Sequence, residues 1–319
     1  MLMKTLAVVM ERPEHIALSP LELTPASAED IVVDVEWSGI STGTERLLWT
    51  GKMPTFPGMG YPLVPGYESV GRVVQAGPDS ELAVGERVFV PGARCYGEVR
   101  GLFGGSASRV VLPAARAVAV PEALGERAAL LALAATAYHA VSNGGKRAPS
   151  APPDLIVGHG VMGRLLARLN VAAGCTDFTV WETNPVRASG GLGYRVIHPD
   201  DDPRRDYTAI YDVSGDSKLL DTLVTRLAPH GEIVLAGFYS EPLQFGFAPA
   251  FMREAQIRCA AEWHRNDLLA VTELAASGLL TLDGLITHTS SPQQADTAYR
   301  TAFGDAACLK MILDWRHAA

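Results

Sequence analysis

The residues whose spacing most clearly suggests chemistry are glycines. The run DLIVGHGVMGRLLARL carries Gly158, Gly160 and Gly163 in the pattern GxGxxG. The pattern alone is weak, but here it follows an apolar strand and opens a helix, the context in which such a turn cradles a dinucleotide pyrophosphate. Gly158 permits the tight turn, Gly160 lets the backbone approach the phosphates, and Gly163 lets the helix pack close to the sheet. His159, Val161 and Met162 lie between them and belong to the same expected contact, with the positive end of the helix behind. The next strand, DFTVWETN, ends at Glu182, about 20 residues on, where this fingerprint places an acid for the ribose hydroxyls. That carboxylate accepts from the ribose diol of NAD. It repels the extra phosphate of NADP by a few kcal/mol, taking a gap of about 4 Å and an effective dielectric of about 20. Arg187, just downstream, softens the repulsion. NAD is the expected cofactor.

Other chemistry is argued against by what the chain lacks. Cys95, Cys175, Cys259 and Cys308 form no CxxC pair and no compact cluster, so a structural zinc site has no ligands to draw on. They read as reduced, mostly packed thiols. A formal charge of -8 disfavours a nucleic-acid binder, which normally presents a basic face. The N-terminal apolar run is short and is followed at once by Glu11 and Glu14, so it does not read as a signal peptide. The longest apolar stretch, Ala128 to Val141, is too short to span a bilayer and carries His139. A cytoplasmic location follows by elimination.

The elements that must position the glycine turn fall into two textures. The first part is strand-like: Lys4 to Met10, Ile31 to Glu36, Ser69 to Ala76, Arg87 to Val90 and Ser108 to Leu112 are rich in Val and Ile and punctuated by Gly and Pro. Short strands with such turns predict a barrel or sandwich. Glu122 to Val141 is Ala- and Leu-rich and predicts a helix, and the polar segment from Ser142 to Pro153 ends it. A strand–helix alternation follows, with strands at Leu155 to Val157, Phe178 to Trp181, Ala209 to Val213 and Glu232 to Ala236. Helices are expected at Val161 to Ala173 and Lys218 to Leu227. This rhythm predicts an α/β, doubly wound parallel sheet.

At this point the order of segments resembles the medium-chain dehydrogenase/reductase superfamily over nearly the whole chain. SGISTGTE (Ser38 to Glu45) looks like the segment holding the first catalytic-zinc ligand in zinc members. PGYESVGRVVQAG (Pro65 to Gly77) looks like the Gly-His-Glu signature and the strand after it. TAYHA (Thr136 to Ala140) resembles the inter-domain helix, DVSGDSKLLDTLVTRLAPHGEIVLAGFY (Asp212 to Tyr239) the last strands of the cofactor domain, and LITH and LKMIL the return to the catalytic domain. The resemblance implies a GroES-like β-barrel catalytic domain over 1–122 and 263–319, and a Rossmann NAD-binding domain over 123–262.

Two departures stand out. Ser41 takes the place of the cysteine ligand and Tyr67 that of the histidine. A hydroxyl and a phenol are poor replacements for thiolate and imidazole around zinc, so no metal is expected. Oxidising a secondary alcohol without zinc leaves hydrogen bonds and a general base to manage the alkoxide. Ser41, Thr44 and Tyr67 align with the vacated metal position. A phenol with an ordinary pKa near 10 needs a cationic or hydrogen-bonding neighbour to act near neutrality. Glu68 and Glu45 are the nearby carboxylates, and the resemblance pairs Glu68 with Lys310, a residue also expected near the cofactor. His139 and His159 are candidate proton shuttles. Thr136 and His288 are expected to help close the nicotinamide pocket.

Within the superfamily, GISTGTERLLWTGKMPTFPGMGYPLVPGYESVG (Gly39 to Gly71) is similar to members acting in bacteriochlorophyll synthesis. This implies oxidation of a 1-hydroxyethyl substituent on a tetrapyrrole pigment to acetyl. So large and flat a substrate needs a wide apolar cleft, for which Trp49, Met53, Phe56, Met59 and Tyr61 are candidates. The Gly-rich segment Gly97 to Ser108 is expected to form a mobile lip, with Arg94 and Arg100 available to a propionate. A homodimer is compatible with the resemblance. Two other readings stay open: a zinc-independent quinone or enone reductase, and a non-catalytic dinucleotide-binding sensor.

Overall fold

A computed structural model describes residues 3–142 and 151–318. The polar segment expected after Val141 lies mostly outside these. In chain order, β1 (Lys4–Arg12), β2 (His15–Glu22) and β3 (Asp30–Ile40) are followed by a short helix α1 (Thr44–Thr50). Then come β4 (Leu63–Val64), β5 (Ser69–Ala76), β6 (Arg87–Val90), β7 (Arg100–Gly101), β8 (Arg109–Pro113) and β9 (Val118–Ala119). After α2 (Leu131–Ser142), β10 (Leu155–Val157), α3 (Val161–Ala172), β11 (Thr179–Trp181), β12 (Arg195–Ile197) and β13 (Tyr207–Asp212) alternate strand with helix. They lead through α4 (Leu220–Arg226), β14 (Leu227–Leu235), α5 (Phe247–Met252) and β15 (Gln256–Cys259) to α6 (Arg265–Ala276). The chain ends on β16 (Ile286–Ser290), α7 (Ala295–Gly304) and β17 (Lys310–Asp314).

These elements form two compact units, Met1–Ala132 with Asp283–Ala319, and Leu133–Leu282. The first holds a sheet ordered β2-β1-β4-β7 and a larger one ordered β16-β17-β3-β5-β6-β9, with β8 also pairing β3. Its strands enclose a core that includes Val8, Met10, Ile31, Val33, Leu63 and Val110. The second holds one sheet ordered β12-β11-β10-β13-β14-β15, parallel throughout. That is the doubly wound dinucleotide order, with its switch point between β10 and β13. Leu155, Ile156 and Val157 are all buried, as a central parallel strand covered on both faces requires.

The expected helix over Glu122 to Val141 is shorter than its composition suggested. Glu122–Leu130 is a 3-10 segment interrupted at Gly125, which sits at φ 51°, ψ -133°, and the α-helix begins only at Leu131. Helix-compatible composition on both sides of Gly125 concealed a break that the glycine makes possible. Among the described residues no helix is long and apolar enough to cross a membrane.

Candidate active site

Sheet register assembles the polar site of the first unit. Strand β3 pairs with β5, Ser38 opposite Ser69, and with β17, Ile40 opposite Met311. The residue after β3 (Ser41), the two before β5 (Tyr67, Glu68) and the first of β17 (Lys310) therefore converge at one end of the sheet. Ser41 Oγ lies 2.6 Å from the Tyr67 hydroxyl, and the Thr44 hydroxyl also bonds Tyr67. Glu68 and Lys310 are both buried. The Lys310 ammonium donates to Glu68 Oε2 at 2.6 Å and to the Ile40 carbonyl at 3.1 Å. Glu68 Oε1 is buried without a hydrogen-bond partner. Gly39 is obligatory beneath this pair, because a Cβ there would stand 2.3 Å from Glu68 Oε2.

Behind Ser41 lies a second buried carboxyl. Glu45 Oε1 accepts from the Ser41 backbone N–H at 3.1 Å, and Oε2 is 2.7 Å from the hydroxyl of buried Tyr299 on α7. Burial pushes Glu45 up to about 8; the Tyr299 bond opposes this and the charge of Glu68 adds to it. One buried cation serves two buried carboxyls, and Lys310 is on Glu68, so Glu45 is the neutral one near pH 7. Burial and then the Glu68 charge push the Tyr67 phenol upward, against its bonds to Ser41 and Thr44. The hydrogen-bonding neighbours are present, but burial and the Glu68 charge outweigh them. Tyr67 serves as a neutral phenol that gives and takes hydrogen bonds.

The candidate cofactor site of the second unit is built mainly of backbone. Gly158 adopts φ 103°, and a Cβ on Gly163 would fall 1.8 Å from the Gly158 carbonyl oxygen, so the turn and the start of α3 are locked together. At Gly160 a Cβ would meet nothing within 4 Å: the surface over the start of α3 is open where a pyrophosphate would approach. Glu182, at the end of β11, accepts from the His159 N–H at 3.0 Å and the Asn184 N–H at 2.8 Å. These residues fit a dinucleotide. His159 is buried, with Nδ1 2.6 Å from the Arg187 carbonyl oxygen and Nε2 2.8 Å from the Tyr194 hydroxyl. The carbonyl can only accept, so Nδ1 carries the proton and Nε2 accepts from Tyr194. Burial lowers the His159 pKa to about 4, consistent with that neutral tautomer. Arg164, also buried, donates to the carbonyls of His159, Arg187, Ser189 and Gly190.

The sequence signature of the alcohol dehydrogenase GroES-like domain matches residues 27–122. The 2-desacetyl-2-hydroxyethyl bacteriochlorophyllide A dehydrogenase of Rhodobacter capsulatus is 56% identical over 317 residues, 99% of this chain and 100% of that one. The chain belongs to this dehydrogenase family. The protein of the same name from Cereibacter sphaeroides is 55% identical over 322 residues, again 99% and 100% of the two chains. In fold, the chain is similar to an alcohol dehydrogenase from E. coli CFT073 crystallised with NADH, with TM-score 0.82, 24% identity, and 98% and 99% of the two chains covered. The 2R,3R-butanediol dehydrogenase of Bacillus subtilis gives TM-score 0.83 at 21% identity, also over 98% and 99%.

In this member of the bacteriochlorophyllide dehydrogenase family the residues at the metal position of zinc relatives do not fit zinc. Ser41 and Tyr67 offer two neutral hydroxyls bonded to each other, a weak donor set for that ion. Among the described residues no group of three or more His, Cys, Asp and Glu side chains could hold a metal.

The remaining expected site residues are dispersed. His139 lies in the second unit, its Nδ1 2.8 Å from Asp267 Oδ2 and its ring against His264; Thr136 is half-buried on the same helix. Trp49, Met53, Phe56, Met59 and Tyr61 are half-buried against the core of the first unit, and Trp49 is tied into it by Phe303 and Arg300. Arg94 and Arg100 are exposed. Arg94 lies near Arg116, whose pKa burial and then Arg94 lower, and Arg100 donates to the Tyr61 carbonyl at 3.3 Å. His288 contacts Thr287 and Asp305. The segment expected as a mobile lip is tied down from Leu102 onward: Leu102 and Gly104 both donate to the Val64 carbonyl, and Gly105 to that of Gly66. Sequence reasoning missed Tyr299, Tyr194 and Arg164. No local signal points to Tyr299, which is 254 residues from Glu45.

Proposed function

We propose that this protein oxidises the 3-(1-hydroxyethyl) group of a bacteriochlorophyllide or chlorophyllide to 3-acetyl with NAD, without zinc, in bacteriochlorophyll a synthesis. Full-length identity of 56% to a dehydrogenase named for that substrate carries the reading, and the hydroxyl set at the metal position supports it. The unit built on β1–β9 and β16–β17 serves as catalytic domain, and the unit built on β10–β15 as NAD-binding domain. The location is cytoplasmic.

The substrate hydroxyl replaces or extends the Ser41–Tyr67 hydrogen bond. Tyr67, held neutral, donates to the oxygen as negative charge grows on it, while Ser41 and Thr44 orient the phenol. The alcohol proton leaves through the hydroxyl of Ser41 to water, while the Tyr67 proton stays on the phenol and points at the oxygen. Gly158 to Gly163 and Glu182 would hold NAD, which when bound would supply the hydride acceptor. The alcohol carbon loses a hydride and its oxygen a proton, giving ketone, NADH and one proton. Glu68 holds its neighbour Tyr67 in place through the Lys310 pair, and Glu45 holds the Ser41 turn.

The test is an absorbance assay with NAD and a hydroxyethyl chlorin. Formation of NADH in step with a shift of the pigment's red band is expected. No NADH from any hydroxyethyl chlorin would overturn the reading, and turnover of quinones or enones with NADPH in its place would favour a reductase.

A further inference from the structure

We infer that Phe103 is the aromatic platform on which the flat conjugated ring of the substrate stacks, and so sets the preference for large planar alcohols over small ones. The inference rests on the function proposed above and adds a specificity residue to it.

Phe103 combines a fixed backbone with a partly exposed ring. The chain on either side is pinned: Leu102 N and Gly104 N each donate to the Val64 carbonyl at 2.9 Å, and Ser106 N donates to that of Pro65 at 2.9 Å. The Tyr96 hydroxyl donates to the Gly104 carbonyl, and Ser69 Oγ to that of Gly105 at 2.7 Å. Packing is equally close. A Cβ on Gly92 would stand 2.1 Å from the Phe103 carbonyl oxygen, and one on Gly104 would stand 1.9 Å from that of Ala93. Leu102, one residue earlier, is buried. Yet Phe103 is 39% exposed. A side chain so placed loses little freedom on binding, because its backbone is already ordered.

Its ring contact with Tyr67 is informative. The Phe103 ring meets Tyr67 edge to face, centroids 5.6 Å apart and planes at 90°. Tyr67 is the residue whose hydroxyl reaches Ser41. The exposed phenyl therefore stands beside the group expected to hold the reacting oxygen. A planar substrate placing its hydroxyethyl arm at Tyr67 meets that phenyl next, and offset or edge contact between aromatic rings is the favoured arrangement there. A small secondary alcohol would reach Tyr67 without touching it. Arg100 is exposed on the same loop, three residues back, and suits a carboxylate substituent on the pigment's rim.

The experiment titrates the full-length protein with a hydroxyethyl chlorin, reading quenching of pigment fluorescence. Steady-state rates are measured in parallel on that chlorin and on butan-2-ol. Phe103→Ala should weaken chlorin binding and raise its KM about tenfold, as loss of one aromatic contact does, with turnover at saturation little changed. Phe103→Trp should restore binding to within about twofold of the parent, since stacking needs only an aromatic face. Butan-2-ol kinetics and NAD affinity should be the same in all three proteins, which also shows the variants are folded. Chlorin binding by Phe103→Ala equal to the parent's overturns the inference, as does an equal loss on chlorin and butan-2-ol, which would mean that Phe103 acts only by supporting Tyr67. A parent that binds the chlorin but forms no NADH refutes the reaction instead, and the binding titration then decides the role of Phe103 alone. A parent that does not bind the chlorin overturns both.

Discussion

The glycine turn of the second unit and the hydroxyl site of the first both hold polar groups at the ends of strands, but with different materials. At the turn, backbone does the work: Gly158, Gly160 and Gly163 lie within six residues, and the buried side chains around them, His159 and Arg164, bond mostly to carbonyls. At the hydroxyl site the groups are side chains from residues 41, 45, 67, 68, 299 and 310, two of them a buried ion pair and one an acid held near neutrality by burial. At the turn the buried Arg164 cation is satisfied by carbonyl dipoles, whereas the hydroxyl site rests on a buried pair of opposite charges. Disturbing one partner should therefore cost more in the first unit than in the second.

The largest expected effect is on that balance. Lys310→Met leaves Glu68 charged, buried and unpaired, and should lower unfolding free energy by about 3–5 kcal/mol, read by urea denaturation. Adding Glu68→Gln to it should recover much of the loss. A single variant within about 1 kcal/mol of the parent would mean the pair is no more than a surface-like contact, and the contrast between the two regions would fail.

Next is catalysis. Tyr67→Phe keeps the ring on Phe103 and removes only the hydroxyl. Turnover should fall about 100- to 1000-fold, as when one donor to a developing oxyanion is lost, with NAD binding unchanged by fluorescence titration. A rate within about threefold of the parent, far below that range, would reduce Tyr67 to a space filler and move its role to Ser41 or Thr44.

The two regions also differ in how much of them the sequence reveals. Gly158 to Gly163 and Glu182 are legible because a local turn imposes local spacing, and the apolar runs at Leu155 to Val157 and Ala209 to Val213 mark the parallel strands that flank it. Ser41 and Tyr67 emerge only through resemblance, since nothing in their spacing says that β3 and β5 pair with Ser38 opposite Ser69. Tyr299 is invisible, because its partner lies in another part of the chain. Arg164 misleads: an arginine in a helix reads as solvent-facing, yet four carbonyls bury this one. Gly125 was in plain view, but composition does not say whether a glycine bends a helix or merely weakens it.

Cofactor choice sharpens the comparison on the turn's side. Glu182 is fixed by two backbone N–H groups, so a 2′-phosphate cannot displace it cheaply. The ratio of kcat/KM for NAD over NADP should be about 10- to 100-fold, the partly exposed setting reducing the roughly 4 kcal/mol of a close pair at intermediate dielectric. Glu182→Gln keeps an acceptor and removes the charge, so it should lower the ratio about tenfold by raising NADP use. A parent enzyme that uses both cofactors equally would refute the assignment.

The effect that is smallest per half-unit step of pH separates the regions by sign. Glu45 has its folded pKa raised from 4.5 to about 8. Its contribution to stability is complete below about 4.5 and is lost as pH rises through about 8. His159 has its folded pKa lowered from 6.5 to about 4. Its contribution is complete above about 6.5 and is lost as pH falls through about 4. Each slope is on the order of 1 kcal/mol per pH unit inside its window. Between about pH 4.5 and 6.5 the two slopes oppose each other, so the parent protein hides both. Glu45→Gln keeps an acceptor for the Ser41 N–H and cannot ionise. Its stability relative to the parent should therefore climb from pH 5 to pH 8, following the Glu45 window. His159→Gln can still donate to one partner and accept from the other, and it should gain on the parent as pH falls from 6.5 toward 4. Urea midpoints of the three proteins, taken at half-unit steps of pH, read these differences while titrations common to all three cancel. A Glu45→Gln difference that is flat with pH would mean the carboxyl ionises freely in the fold, and the hydroxyl site would then not rest on a neutral acid. A His159→Gln difference that grows on the alkaline side instead would mean the imidazole is held charged, and the two regions would then not differ in sign.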